Sequence, residues 1–243
     1  MTPLTSYGAG GDVYARPMVF DNRCDGFEYS TGGSCVVVSL NDRFYVVTAL
    51  HVPNNVHRQY KPSQMLIPYE EGSEIFLPIK EAFVMQTDEH DDTDHKDILL
   101  LEVWQEKLDM TQWKPEYCFN LAWNDGATLN RETQYWLSGY PDELNPVDYE
   151  RGMILTQAAH CSGVIYGKDR FIGVDEWNLD PKNGLLSYQG FSGGGAFSFT
   201  PIAEGQAHVR LEGIVLRATV EGQKAFILQS RLIREYILKQ QAG

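Results

Sequence analysis

The sequence predicts an all-β chain: two successive series of short strands, closed by a single helix. Three observations carry this reading. Runs of β-branched and aromatic residues recur between turn residues, one pair of runs is joined by a hairpin signal, and one segment alone has helically spaced apolar residues. Segments 34–40 and 43–48 are the clearest strands, and Asn41-Asp42 between them suits the positive φ angles of a tight hairpin turn. Segments 74–80, 82–85 and 97–103 read as three more strands, completing a first series that ends near residue 110. After a polar, tryptophan-containing connection, strands are expected at 134–139, 153–158, 185–188, 194–200, 208–216 and 224–228. Ser230 is placed to cap a closing helix in which Leu232, Ile233, Tyr236 and Ile237 share one face. The glycine-rich segment 1–12 is expected to be loose, which leaves one unit at 13–115 and a second at 116–243. The sequence has no internal repeat and no low-complexity segment.

With 243 residues the chain can bury a large core. Its formal net charge of −13 argues against a nucleic-acid partner, because a protein that tracks phosphates presents a basic face. No apolar stretch reaches the roughly 18 residues of a membrane span, so no membrane partner is expected. The start, Met1-Thr2-Pro3-Leu4, lacks the basic head and apolar middle of a signal peptide, and the expected location is cytoplasmic. Cys24, Cys35, Cys118 and Cys161 match no zinc spacing. They are expected to be mostly reduced and buried, with Cys24 and Cys35 the pair to check for a bridge.

Three segments carry chemistry. Gly190-Phe191-Ser192-Gly193-Gly194-Gly195 holds a serine among glycines, Thr48-Ala49-Leu50-His51 ends an apolar run, and Asp97-Ile98-Leu99-Leu100-Leu101 begins one. A serine hydroxyl is a poor nucleophile at neutral pH and needs a base within hydrogen-bond reach. That base in turn needs an acceptor to fix its tautomer. Ser192, His51 and Asp97 suit these three roles. Attack on a carbonyl also creates an oxyanion, and the backbone amides of Gly190 and Ser192 are candidates to meet it. Each segment alone suits an ordinary turn or strand, but the three together form a catalytic constellation.

Their order, with separations of 46 and 95 residues, resembles the trypsin/chymotrypsin-like serine peptidases, whose signatures read roughly TAAH, DIALL and GDSGGP. The resemblance implies two antiparallel six-stranded β-barrels sharing a cleft, a short C-terminal helix and an endopeptidase that needs no cofactor. It implies a protein or peptide substrate and leaves room for a regulatory protein partner. Gly139-Tyr140-Pro141 resembles a turn that bacterial members place early in the second barrel. The alternative is a catalytically inactive relative that keeps the cleft as a peptide-binding or scaffold surface.

Several positions depart from the family pattern. Phe191 stands where zymogen-activated members carry an Asp that pairs with a new N-terminus, so that activation route is not expected. Val52 replaces the cysteine that often follows the histidine in secreted members. Leu186, six residues before the serine, would form an apolar pocket base, and without a partner for a buried cation it disfavours Arg or Lys in the substrate. Gln189, Leu216 and Arg217 are the other expected substrate-binding residues. Arg217 points either into the cleft, favouring an acidic side chain, or outward as an ordinary strand arginine. The acidic run 88–95 invites a metal, with Asp92 and Asp94 spaced like early calcium ligands. The glycine and distal Glu of such a loop are missing, however, and no metal is expected. Among the nearby acids, only Asp97 runs directly into the apolar strand that would bury it.

Overall fold

The computed structural model describes residues 4–5, 14–55, 58–85, 97–126, 130–151, 153–168, 173–185, 187–203, 206–219, 221 and 223–242. Two sheets organise them. The first contains β1 (Ala15–Asp21), β2 (Tyr29–Leu40), β3 (Arg43–Ala49), β4 (Ile79–Val84) and β5 (Ile98–Val103). Its order is β1-β2-β3-β5-β4, with Met65–Leu66 pairing on the outer edge of β1. Asn41 and Asp42 have φ of 52° and 59°, so the β2–β3 hairpin closes through two left-handed residues whose twist matches the strands.

The second sheet contains β6 (Gln134–Gly139), β7 (Ala159–Lys168), β8 (Val174–Leu179), β9 (Gly195–Ala203), β10 (Gln206–Thr219) and β11 (Lys224–Gln229). These six close on themselves in the order β10-β9-β6-β7-β8-β11, and β11 pairs back to β10. The helix α1 (Ser230–Ala242) follows, burying Ile233, Tyr236 and Ile237.

Closure of the second series into a six-stranded barrel agrees with expectation; a matching first barrel is not seen. Among the described residues β4 has no second partner, and the first sheet stays open as a half-barrel. Proline explains much of the gap. Pro62, Pro68 and Pro78 remove ladder donors, so 60–78 holds only Met65–Leu66 and the isolated Pro68–Phe76 bridge. For the same reason the strand expected at 74–80 begins only at Ile79 and runs through the one expected at 82–85.

Other boundaries moved as well. Of segment 153–158 only Met153–Ile154 is extended in a ladder, against Val147–Asp148. Segment 185–188 forms no strand in its described residues, since Gly184 turns the chain with φ 76° and Ser187 Oγ caps the Gln189 amide. Pro17 interrupts the apolar pattern of β1, Gly163 and Gly167 that of β7, and acidic residues that of β8, so these three strands have no clear local signature. Among the described residues one pairing is parallel, Phe119–Asn120 on Val38–Ser39. Leu4–Thr5 pairs with Ala207 and His208, and the rest of segment 1–12 lies outside the described residues. The Ser230 hydroxyl accepts a hydrogen bond from Asn124 Nδ2, at 3.0 Å, which ties the strand–helix junction to the segment after the first sheet.

The two sheets share a core. Val36, Val38, Val47 and Leu100 of the first pack in one cluster with Phe197, Leu211, Ile214 and Leu216 of the second and with Ile233 and Ile237 of α1. Further clusters lie under the first sheet and inside the barrel. No helix among the described residues is long and apolar enough to cross a membrane.

The four cysteines are free, so Cys24 and Cys35 are unbridged; Cys24 is exposed and the other three are buried. Burial pushes the thiols of Cys35 and Cys161 up to about 12 and raises that of Cys118 in the same direction. An aromatic disulfide reagent at pH 8 should therefore modify Cys24 alone in the native protein and all four thiols after denaturation. Rapid modification of a second native thiol would contradict this packing.

Candidate functional site

Antiparallel pairing brings His51 and Asp97 together. Ala49 at the end of β3 lies opposite Ile98 at the start of β5, so the residues just beyond those ends are neighbours. Asp97 holds the β3 turn at three points. Its carbonyl accepts from the Leu50 amide at 3.0 Å, Oδ1 from the His51 amide at 3.0 Å, and Oδ2 lies 2.6 Å from His51 Nδ1. With Nδ1 committed to the carboxylate, Nε2 is the ring nitrogen left to meet another group. His51 is exposed, and Asp97 is only half-buried, with 26% of its side chain accessible. The expected burial begins one residue later, at Ile98, because Asp97 sits at the mouth of the sheet.

The Ser192 turn has its backbone polar groups assigned almost completely. The Gln189 carbonyl accepts from the Asp142 amide at 3.0 Å, that of Gly190 from Ser34 Oγ at 2.7 Å, that of Phe191 from the Gly194 amide at 2.8 Å and that of Ser192 from the Ser34 amide at 2.8 Å. The amides of Phe191 and Gly193 donate to Tyr188 and Val215. Among the described residues, those of Gly190 and Ser192 donate to no protein acceptor. A trans peptide points its N–H opposite to its C=O. The fixed carbonyls of Gln189 and Phe191 therefore fix the directions of these two free amides.

Glycine is required at two points of the turn. Gly190 has φ +93°, and a Cβ there would lie 2.6 Å from the Tyr140 carbonyl oxygen and 2.7 Å from Asp142 Oδ1. Gly193 has φ +85°, and a side chain there would overlap the Ser34 carbonyl and Thr48 Oγ1. Thr48 lies three residues before His51, so this close approach seats the serine turn against the strand that carries the histidine. Phe191 is fully buried in the barrel cluster, its ring edge-on to Tyr188.

Ser192 Oγ donates to the Leu216 carbonyl at 3.1 Å and makes no hydrogen bond to His51. Leu216 thus meets the site through its backbone, its side chain being buried in the shared core. The Arg217 guanidinium lies over the Phe226 ring, 4.3 Å from its centroid. Gln189 is exposed at the rim, whereas Leu186 and the acidic run 88–95 lie outside the described residues. Among those that are described, no group of His, Cys, Asp or Glu is arranged to hold a metal.

Residues that the motifs did not single out complete the site. Ser34 and Asp142 join the serine turn to the rest of the fold, and Asn145 braces the loop that carries Asp142. Asn145 is buried, with Nδ2 donating to the Pro141 carbonyl at 2.6 Å and Oδ1 accepting from the Gln157 amide at 2.8 Å. Burial raises the Asp142 carboxyl above its ordinary range, an effect offset in part by the Gly33 amide and the Gln189 side chain beside it. The nearest sequence signals were Gly32-Gly33 before Ser34 and the turn at Gly139-Tyr140-Pro141.

No protein-family model matches the chain, and no curated protein matches its sequence. Functional inference therefore rests on the site itself.

If Asp97 serves His51 as an orienting acceptor, Asp97→Asn should lower kcat by a factor on the order of 10³ to 10⁴ through the wrong tautomer. Steady-state hydrolysis of a chromogenic ester would measure it. A loss below about tenfold would remove Asp97 from the proposed triad.

Proposed function

We propose that the chain is a serine endopeptidase of the trypsin/chymotrypsin-like kind, acting through an acyl-enzyme on Ser192. The observation that carries the proposal is the clasp of His51 by both Asp97 oxygens, next to a serine turn with two uncommitted amides. In this mechanism Ser192 Oγ attacks the peptide carbonyl while His51 Nε2 takes its proton, and Asp97 remains ionised to stabilise the imidazolium. The amides of Gly190 and Ser192 receive the oxyanion. As the intermediate collapses, the C–N bond breaks and His51 protonates the leaving amine. Water, activated by the same imidazole, then cleaves the ester and restores the serine. No cofactor takes part, and the substrate is a protein or peptide. An apolar pocket base at Leu186 would disfavour Arg and Lys.

One observation favours a different reading, a cleft that only binds peptides or serves as a scaffold: the Ser192 hydroxyl faces Leu216 rather than His51. The cost of turning the hydroxyl is small beside what catalysis requires. Turning the hydroxyl to the imidazole sacrifices one hydrogen bond worth about 0.5–1.5 kcal/mol, whereas catalysis lowers a barrier by roughly 8–23 kcal/mol. Catalytic hydrogen bonds also commonly form only when substrate arrives. The resting orientation is therefore compatible with catalysis.

Phe191 predicts activity without proteolytic trimming, because a phenyl ring cannot pair with a new N-terminal ammonium. The test is intact-mass analysis of the chain beginning at Met1, before and after a fluorophosphonate. The untrimmed parent should gain one adduct at Ser192, whereas Ser192→Ala should gain none and keep its melting temperature. An unlabelled parent would favour the binding module, and labelling confined to trimmed molecules would overturn the argument from Phe191.

A further inference from the structure

Ser34 lies on β2, 158 residues before the serine it contacts, and is completely buried. Each of its polar groups is used at the junction of the two sheets. The hydroxyl donates to the Gly190 carbonyl at 2.7 Å and accepts from the Tyr140 amide at 2.8 Å. The amide donates to the Ser192 carbonyl at 2.8 Å, and the Ser34 carbonyl accepts from Thr48 Oγ1 at 2.7 Å. One side chain thus bridges the serine turn to the end of β6, and one backbone unit ties that turn to the strand bearing His51.

The bridge bears on the two free amides. Gly190 occupies a left-handed conformation, which glycine leaves easily, having no Cβ to restrict it. Its following peptide is fixed by Ser34 Oγ and its preceding one by the Asp142 amide. Without the hydroxyl, the Gly190 carbonyl and the Tyr140 amide both lose their partner in a buried setting, and the turn gains a reason to rotate.

We infer that Ser34 is a positioning residue for the oxyanion site: its hydroxyl fixes the Gly190–Phe191 peptide, the unit between the two that carry the Gly190 and Ser192 amides, and so limits the rotation of both. The inference rests on the peptidase reading and adds to it a residue that touches neither substrate nor the reacting atoms. In place of an ionic latch, the turn is held by a neutral hydroxyl from the other sheet.

The test compares the parent, Ser34→Ala, Ser34→Thr and Ser198→Ala on p-nitrophenyl acetate, together with each protein's labelling rate by a fluorophosphonate. Ser198 is an equally buried serine whose hydroxyl donates to Glu212, and it controls for general loss of stability. Ser34→Ala should lower kcat and the labelling rate by about tenfold or more, with KM changed by less than about twofold, because oxyanion stabilisation acts on the transition state. Ser34→Thr keeps the hydroxyl and should stay within about threefold of the parent. Ser198→Ala should lower the melting temperature while leaving the labelling rate unchanged. If Ser34→Ala does not fold, Ser34→Cys, close in shape but a weak donor, carries the same comparison. A folded Ala or Cys variant with parental kcat overturns the inference alone, as does an equal loss in Ser34→Thr or Ser198→Ala. A parent that neither labels nor hydrolyses overturns the peptidase reading, and the inference with it.

Discussion

The site depends on backbone hydrogen bonds that cross between the sheets. Four consecutive carbonyls, from Gln189 to Ser192, each meet a fixed donor, and two of those donors belong to Ser34. A buried carbonyl left without a partner costs about 1–3 kcal/mol, so the turn has little freedom to rearrange while these bonds persist. Peptide planarity carries the constraint from the Gln189 and Phe191 carbonyls, held by the Asp142 and Gly194 amides, to the Gly190 and Ser192 amides, while Ser34 holds the Gly190–Phe191 and Ser192–Gly193 units on either side of the second. The same arrangement explains the glycines: a side chain at 190 or 193 would occupy space taken by Tyr140, Asp142, Ser34 or Thr48.

Packing supports the same geometry. Phe191 points away from the cleft into the barrel cluster, anchoring the turn through apolar burial, and the shared cluster of Val36, Val47, Leu100, Phe197 and Leu216 joins the strands flanking the turn. His51 and Asp97 stand on adjacent strand ends of one sheet, and the serine turn leads into the other. Alignment of the proposed nucleophile with the proposed base therefore depends on the sheet junction, because each sheet carries only part of the site.

Much of this was legible in the sequence, for identifiable reasons. The Asn41-Asp42 turn, the buried apolar run after Asp97 and the helix carrying Ile233 and Ile237 each have local causes that short-range patterns reveal. The His51 and Asp97 neighbourhood was readable because an apolar strand leads to one and away from the other. Strands broken by Pro17 or by Gly163 and Gly167 were hidden, since their pairing is decided by distant partners rather than by alternation. Ser34 was invisible for the same reason: a serine beside two glycines is locally unremarkable, and its role appears only when residues 139–142 and 189–194 fold onto it. Expected burial of Asp97 failed by one residue, because a strand end is open to solvent even when the strand itself is not.

The most direct test of this account is the crystal structure of the fluorophosphonate adduct. It predicts a phosphoryl oxygen within about 3 Å of the amide nitrogens of both Gly190 and Ser192. It also predicts that the carbonyls of Gln189, Gly190 and Ser192 remain on their donors from Asp142 and Ser34. A phosphoryl oxygen directed elsewhere, or a turn released from those donors to accommodate it, would contradict the claim that the sheet junction presets the site.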